Sequence, residues 1–182
     1  TLAYKNADEK IYPASMTKVM TVITALDYIE NLDDVYTVTD RILKSIPYGA
    51  STAGMSYAKS EYDITTYTIR DILYGISYCS GADSVACLMD YLNVSMDDFA
   101  ALMNEKAKGI GLKNTHFGGA IGMGTEENQT TCRDMAAIMA YAMENQYAKD
   151  FFSGIRHFYD LHENISYFHS TLSKTLDNLD KK

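Results

Sequence analysis

The stretch Tyr12-Pro13-Ala14-Ser15-Met16-Thr17-Lys18 decides how the rest of the chain reads. Pro13 suits a first helical turn, where its missing N–H costs no hydrogen bond. Beyond it, Met16, Val19, Met20, Ile23 and Leu26 recur on one helical face, and Val22, Ala25 and Ile29 extend the face of Ser15 and Lys18. Only Thr17, Thr21, Thr24 and Tyr28 leave a mildly polar stripe, so the segment predicts a buried, central helix. Residues three apart share a helix face, which lets Ser15 and Lys18 meet. A neutral Lys18 then takes the proton of Ser15, the arrangement of an activated serine nucleophile. A helix N-terminus stabilises a developing oxyanion and disfavours an ammonium, and burial penalises the charged amine further.

The spacing alone is weakly specific. About one accidental Ser-x-x-Lys is expected in a chain of this length at average usage. A second copy, Ser56-Tyr57-Ala58-Lys59, lies in a polar segment without a helical apolar face and carries no such reading.

The chain has 182 residues, 47% hydrophobic and 22% charged, enough for one globular domain or part of a larger one. A formal net charge of −8 argues against a nucleic-acid partner, which would face a basic surface. The odd set Cys79, Cys87 and Cys132 makes no disulfide framework, so buried thiols are expected. His116, His157, His162 and His169 match no zinc spacing, so no metal is expected. Ten methionines and fifteen tyrosines are read as packing. No signal peptide or membrane-spanning run is visible.

In order, residues 1–10 read as the end of a strand and a polar turn, with the strand's partner expected upstream. Asp33–Thr39 alternates as a short strand, Pro47–Gly54 is a loop, and Asp63–Thr68 is a second short strand. Thr68 caps a helix over Ile69–Tyr78, Ser80-Gly81 breaks it, and another runs about Asp83–Leu92. Asp97 or Asp98 caps a helix that Gly109-Ile110-Gly111 ends. Asn114–Glu127, with four glycines, is an extended loop, and Thr130 or Thr131 caps the next helix. His157–Leu161 and Ile165–Phe168 read as strands, followed by a polar tail. The sum is mainly α with short strands.

Tyr12-Pro13-Ala14-Ser15-Met16-Thr17-Lys18-Val19-Met20-Thr21 closely resembles the active-site segment of the serine D-alanyl-D-alanine carboxypeptidases, the low-molecular-mass penicillin-binding proteins of peptidase family S11. Asp71-Ile72-Leu73-Tyr74-Gly75 followed by Ser80-Gly81-Ala82-Asp83 resembles the helix and Ser-x-Asn motif of that family. Gly111-Leu112-Lys113-Asn114-Thr115-His116-Phe117 and Thr131-Cys132-Arg133-Asp134-Met135-Ala136 resemble later segments, so the likeness runs over about residues 1–145.

The resemblance implies the helical part of the β-lactamase/penicillin-binding-protein transpeptidase-like α+β fold. It implies a peptidoglycan stem peptide ending in D-Ala-D-Ala as substrate, β-lactams as covalent inhibitors, no cofactor, and an extracytoplasmic, cell-wall or membrane-associated place. Ser15 is the implied nucleophile, Lys18 the base and Ser80 the proton relay, with Gly81 and Ala82 at the substrate.

Two departures qualify it. Ala82 stands where the family usually has asparagine, which removes a side-chain hydrogen bond worth on the order of 1–3 kcal/mol. The Lys-Thr-Gly motif is absent, and Lys174-Thr175-Leu176 is rejected because leucine would crowd a strand that must lie against substrate. Residues 1–182 are therefore expected to be one incomplete catalytic domain, short of sheet strands at both ends. Its cleft would lack an opposing wall unless a second fragment supplied one. A non-catalytic penicillin-binding or cell-wall-peptide-sensing module is the alternative, kept open by Ala82.

Overall fold

The apolar stretch after Pro13 forms a helix, but a shorter one than its periodicity predicts. In the computed structural model, which describes residues 5–55, 65–124, 126–154, 156–160 and 165–169, the elements begin with β1 (Lys10–Ile11) and a 3₁₀ turn (Ala14–Met16). Then follow α1 (Thr17–Ala25), β2 (Val35–Thr37), α2 (Asp40–Lys44), β3 (Thr66–Thr68), α3 (Ile69–Cys79) and α4 (Ala82–Tyr91). The remainder is α5 (Met96–Ile110), β4 (Thr130–Thr131), α6 (Cys132–Ala142), α7 (Gln146–Ser153), β5 (Arg156–Asp160) and β6 (Ile165–His169). The chain divides into two units, Thr1–Tyr28 with Val94–Lys149, and Ile29–Asn93 with Asp150–Lys182.

In the first unit α1 packs on α5 and α6. Met20, Val22, Ile23 and Ala25 are at most 3% exposed and meet a core that includes Phe99, Met103 and Ile138. Each such side chain contributes about 1.5–3 kcal/mol on burial. The threonine stripe is not a polar margin: Thr17, Thr21 and Thr24 are buried too. Met16, expected inward, is 44% exposed because it sits in the 3₁₀ turn, outside the register of α1. The helix ends at Ala25, and Tyr28 lies exposed beyond it. β1 pairs antiparallel with β4, so this strand finds its partner downstream; the strand read from the first residues lies outside the described ones. The cap of α5 is Ser95, whose hydroxyl accepts from Asp98 N, rather than either aspartate. Gly111 ends α5 with φ +89°, and Thr131 caps α6.

In the second unit β2 and β3 pair antiparallel. Thr68 and Asp71 form a reciprocal capping box at the start of α3, whose Ile69, Ile72, Leu73 and Ile76 are buried against α4. β5 and β6 form an antiparallel hairpin beside α3, close to the two strands expected at His157–Leu161 and Ile165–Phe168. Helices α2 and α7, of five and eight residues, were not anticipated. Cys87 is buried, but Cys132 is exposed as the first residue of α6, contrary to the expectation of buried thiols. The Ser56–Lys59 copy lies outside the described residues.

Candidate active site

Ser15 lies exposed in the 3₁₀ turn that leads into α1. Ala14 before it has φ +46°, a left-handed conformation that costs a residue with a Cβ about 1 kcal/mol. Lys18 is only 4% exposed. Its Nζ donates to Ser15 Oγ at 3.3 Å and to the Ile121 carbonyl at 2.8 Å. The predicted meeting of hydroxyl and amine is therefore present. Deprotonation of the amine reverses the bond, so that Ser15 becomes the donor.

The Ile121 carbonyl belongs to the glycine-rich loop, which a two-bond backbone bridge between His116 and Gln129 closes at its base and which side chains hold further along. Asn104 of α5 brackets Phe117, donating to its carbonyl at 2.9 Å and accepting from its N–H at 2.8 Å. Asn128 Oδ1 accepts from Gly118 N at 3.2 Å. Asp134 of α6 accepts from Asn114 N and the Thr115 hydroxyl at 2.9 and 2.8 Å. Thr21 Oγ1 donates to Ala120 O at 2.7 Å. At Gly122, φ +79°, a Cβ would stand 2.1 Å from the Ala14 carbonyl oxygen and 2.8 Å from Thr17 Cβ. Only glycine lets the loop lie that close to the turn bearing Ser15. A hollow of about 290 Å³ adjoins this turn, lined by Tyr12, Ala14, Gly122, Gly124, Glu126 and Asn128.

Ser80 belongs to the second unit and caps α3 in a left-handed conformation, φ +56°. Its hydroxyl oxygen is out of solvent reach and has no hydrogen-bond partner. Asp83, 2% exposed, accepts from Ala53 N, Gly54 N, Met55 N and Ser84 N at 2.8–2.9 Å. Ser51 adds two more stitches: its hydroxyl donates to Ser80 O at 2.9 Å and its carbonyl accepts from Ala82 N at 2.8 Å. Gly81 and Ala82 are both buried at the start of α4. A Cβ on Gly81 would lie 2.7 Å from Asp83 Oδ1 and 2.8 Å from Ala53 Cβ, so glycine permits this strap.

The sequence had pointed to Ser15, Lys18, Ser80, Gly81 and Ala82. It had not pointed to Thr21, Ala120, Ile121, Gly122 or Asp83, which hold them. The glycine density of 118–124 was the one available signal. Elsewhere, burial first, then the nearby Asp83 and Asp90, pushes the Cys87 thiol up to about 12. Burial and the hydrogen bond to Asp90 raise the Tyr36 phenol. Among the described residues no cluster of three or more His, Cys, Asp or Glu could hold a metal. Nor is any helix among them long and apolar enough to cross a membrane.

This architecture is similar to that of known proteins. The structure of the Streptomyces K15 DD-transpeptidase superposes with a TM-score of 0.80 at 27% identity, covering 94% of this chain and 68% of that one. A D-alanyl-D-alanine carboxypeptidase of Mycobacterium tuberculosis shares the fold at 22% identity, with a TM-score of 0.78 over 95% of this chain and 63% of that one. The D-alanyl-D-alanine carboxypeptidase DacF of Bacillus subtilis is 32% identical over 136 residues, 75% of this chain and 33% of the relative. The Streptomyces sp. strain K15 carboxypeptidase is 31% identical over 156 residues, 80% of this chain and 50% of the relative. The chain thus spans a third to a half of the length of these curated relatives. It forms the helical, short-stranded part of the penicillin-binding-protein fold. The profile of the Peptidase S11 family, described as D-alanyl-D-alanine carboxypeptidase, matches residues 1–169, and the chain belongs to that family.

Proposed function

We propose that the chain carries the nucleophile and base of a serine D-alanyl-D-alanine carboxypeptidase, and that its two units are parts of one catalytic domain. The observation that carries this reading is Lys18 Nζ at 3.3 Å from Ser15 Oγ, both at the mouth of a buried helix. Ser15 Oγ attacks the carbonyl carbon between the two terminal D-alanines of a peptidoglycan stem peptide while neutral Lys18 takes its proton. The Ser15 backbone N–H supplies one donor to the tetrahedral oxyanion. Collapse breaks the C–N bond, and the departing D-alanine amine receives a proton relayed through Ser80. The remaining acyl group is an ester on Ser15, and water hydrolyses it to free the shortened peptide and restore the hydroxyl. Gly81 and Ala82 line the substrate's path. A β-lactam acylates the same oxygen by ring opening. The expected location is extracytoplasmic, since that is where the substrate lies.

One observation favours the second reading, a penicillin-binding or peptide-sensing module that turns over little. Ala82 offers no side-chain hydrogen bond, and the Ser80 hydroxyl has no partner. A fluorescent penicillin and a D-Ala-D-Ala peptide, tested on the full-length protein, separate the two. The peptidase reading expects a covalent label mapped by mass spectrometry to Ser15, together with released D-alanine. Label without release supports the module, and no label at all sinks the serine chemistry.

A further inference from the structure

A base must stay aimed while its protonation changes, and the four-carbon stem of a lysine is flexible. Lys18 Nζ reaches Ile121 O at 2.8 Å, a shorter contact than its 3.3 Å to Ser15 Oγ. That carbonyl sits in a loop without regular secondary structure, so its position depends on what grips the loop. The preceding carbonyl, of Ala120, is gripped by Thr21 Oγ1 at 2.7 Å. The hydroxyl has one proton and three nearby acceptors. Thr17 O at 3.4 Å and Met103 Sδ at 3.9 Å are too distant to compete with a bond of 2.7 Å. Thr21 is 0% exposed and three residues after Lys18, on the same face of α1. One helix thus binds two successive loop carbonyls with side chains one turn apart. Gly122, next in the loop, is pressed against the Ala14 carbonyl and has no slack.

We infer that Thr21 is a positioning residue for Lys18: by binding Ala120 O it fixes the Ile121 carbonyl that keeps the amine on Ser15. Its catalytic consequence rests on the reading of Lys18 as the base; the positioning itself does not. A helix-interior threonine would otherwise direct its hydroxyl to the carbonyl four residues back. Here that bond is the long one, and the loop takes the proton instead.

Thr21→Val removes the hydroxyl at nearly constant volume. Two measurements on the full-length protein test the inference. Acylation by a fluorescent penicillin is expected to slow on the order of 10-fold, with most of the rate restored in Thr21→Ser. The Lys18 amine, followed by NMR in protein labelled with ¹⁵N-lysine, reports position without any turnover. Losing the Ile121 acceptor weakens the ammonium form, so its titration midpoint should fall by about half a pH unit to one unit, and Thr21→Ser should return it. A merely structural threonine would lower the unfolding midpoint and leave this titration where it was. An unmoved titration in folded Thr21→Val overturns the inference, whatever the acylation rate. A moved titration in a protein that no penicillin labels supports the positioning and overturns the peptidase reading instead. If Thr21→Val does not fold, Thr21→Cys, which has only a weak S–H donor, makes the same comparison.

Discussion

The two serines of interest are held by opposite chemistries. Around Ser15, helix side chains donate to loop carbonyls: Thr21 to Ala120 and Lys18 to Ile121. Around Ser80, a helix carboxylate accepts from loop amides, Asp83 binding the N–H groups of residues 53–55. The first arrangement fixes an amine beside a hydroxyl. The second fixes a backbone turn and leaves the Ser80 hydroxyl unpartnered. In both, the left-handed φ is taken by a residue other than glycine, Ala14 or Ser80, and a nearby glycine makes the close approach that holds it. The difference is one of side-chain partnering: the Ser15 hydroxyl meets an amine at 3.3 Å, whereas at Ser80 the backbone is held and the hydroxyl is buried without a partner.

The largest effect should come from the first region. Ser15→Ala is expected to abolish covalent penicillin labelling, and Lys18→Met to slow it by roughly 10²–10⁴-fold, both read by gel fluorescence. Labelling that survives in Ser15→Ala would break the assignment of this region as the chemical one. In the second region the expected loss is of stability. Asp83→Ala leaves four amide donors without their buried acceptor and should cost about 3 kcal/mol in urea denaturation. A loss below about 1 kcal/mol would show that water replaces the carboxylate and that the strap is not what holds Ser80.

Gly122→Ala should cost about 2 kcal/mol through its contact with the Ala14 carbonyl, and should slow acylation as well. Gly119→Ala is the control, because its Cβ would meet nothing within 4 Å. Equal effects at the two glycines would remove the argument that close approach matters. The smallest expected signal is the order of thiol reaction near pH 8. Exposed Cys132 should react with a disulfide reagent first, and Cys87 only on unfolding, because its thiol is buried and pushed up to about 12.

Much of the framework was legible. The Thr68 cap, a cap at Thr130 or Thr131, and the two strands near 157–161 and 165–168 follow from local signals in the sequence. The Ser95 cap was missed because two aspartates one turn further along offered the same chemistry. Helix α2 was missed because five residues span little more than one turn, whereas α7 spans two turns with Ala148 and Phe151 buried three apart, a short face the sequence reading passed over. The exposure of Met16 was missed because a 3₁₀ turn shifts the register by which side chains are counted onto a face.

The sequence by itself determined the pair Ser15 and Lys18, since three residues of helical spacing suffice to bring them together. It also determined the family, through ordered segments from Tyr12 to Ala136. Only the tertiary structure decided what steadies them. Thr21 meets Ala120 across 99 positions and Lys18 meets Ile121 across 103. Asp83 reaches back 28 to 30 positions to its strap. Those bonds join side chains to backbone amides and carbonyls, which every residue type carries, so nothing in the residue letters marks the backbone partner. The partner is chosen by where packing and a glycine allow the loop to lie.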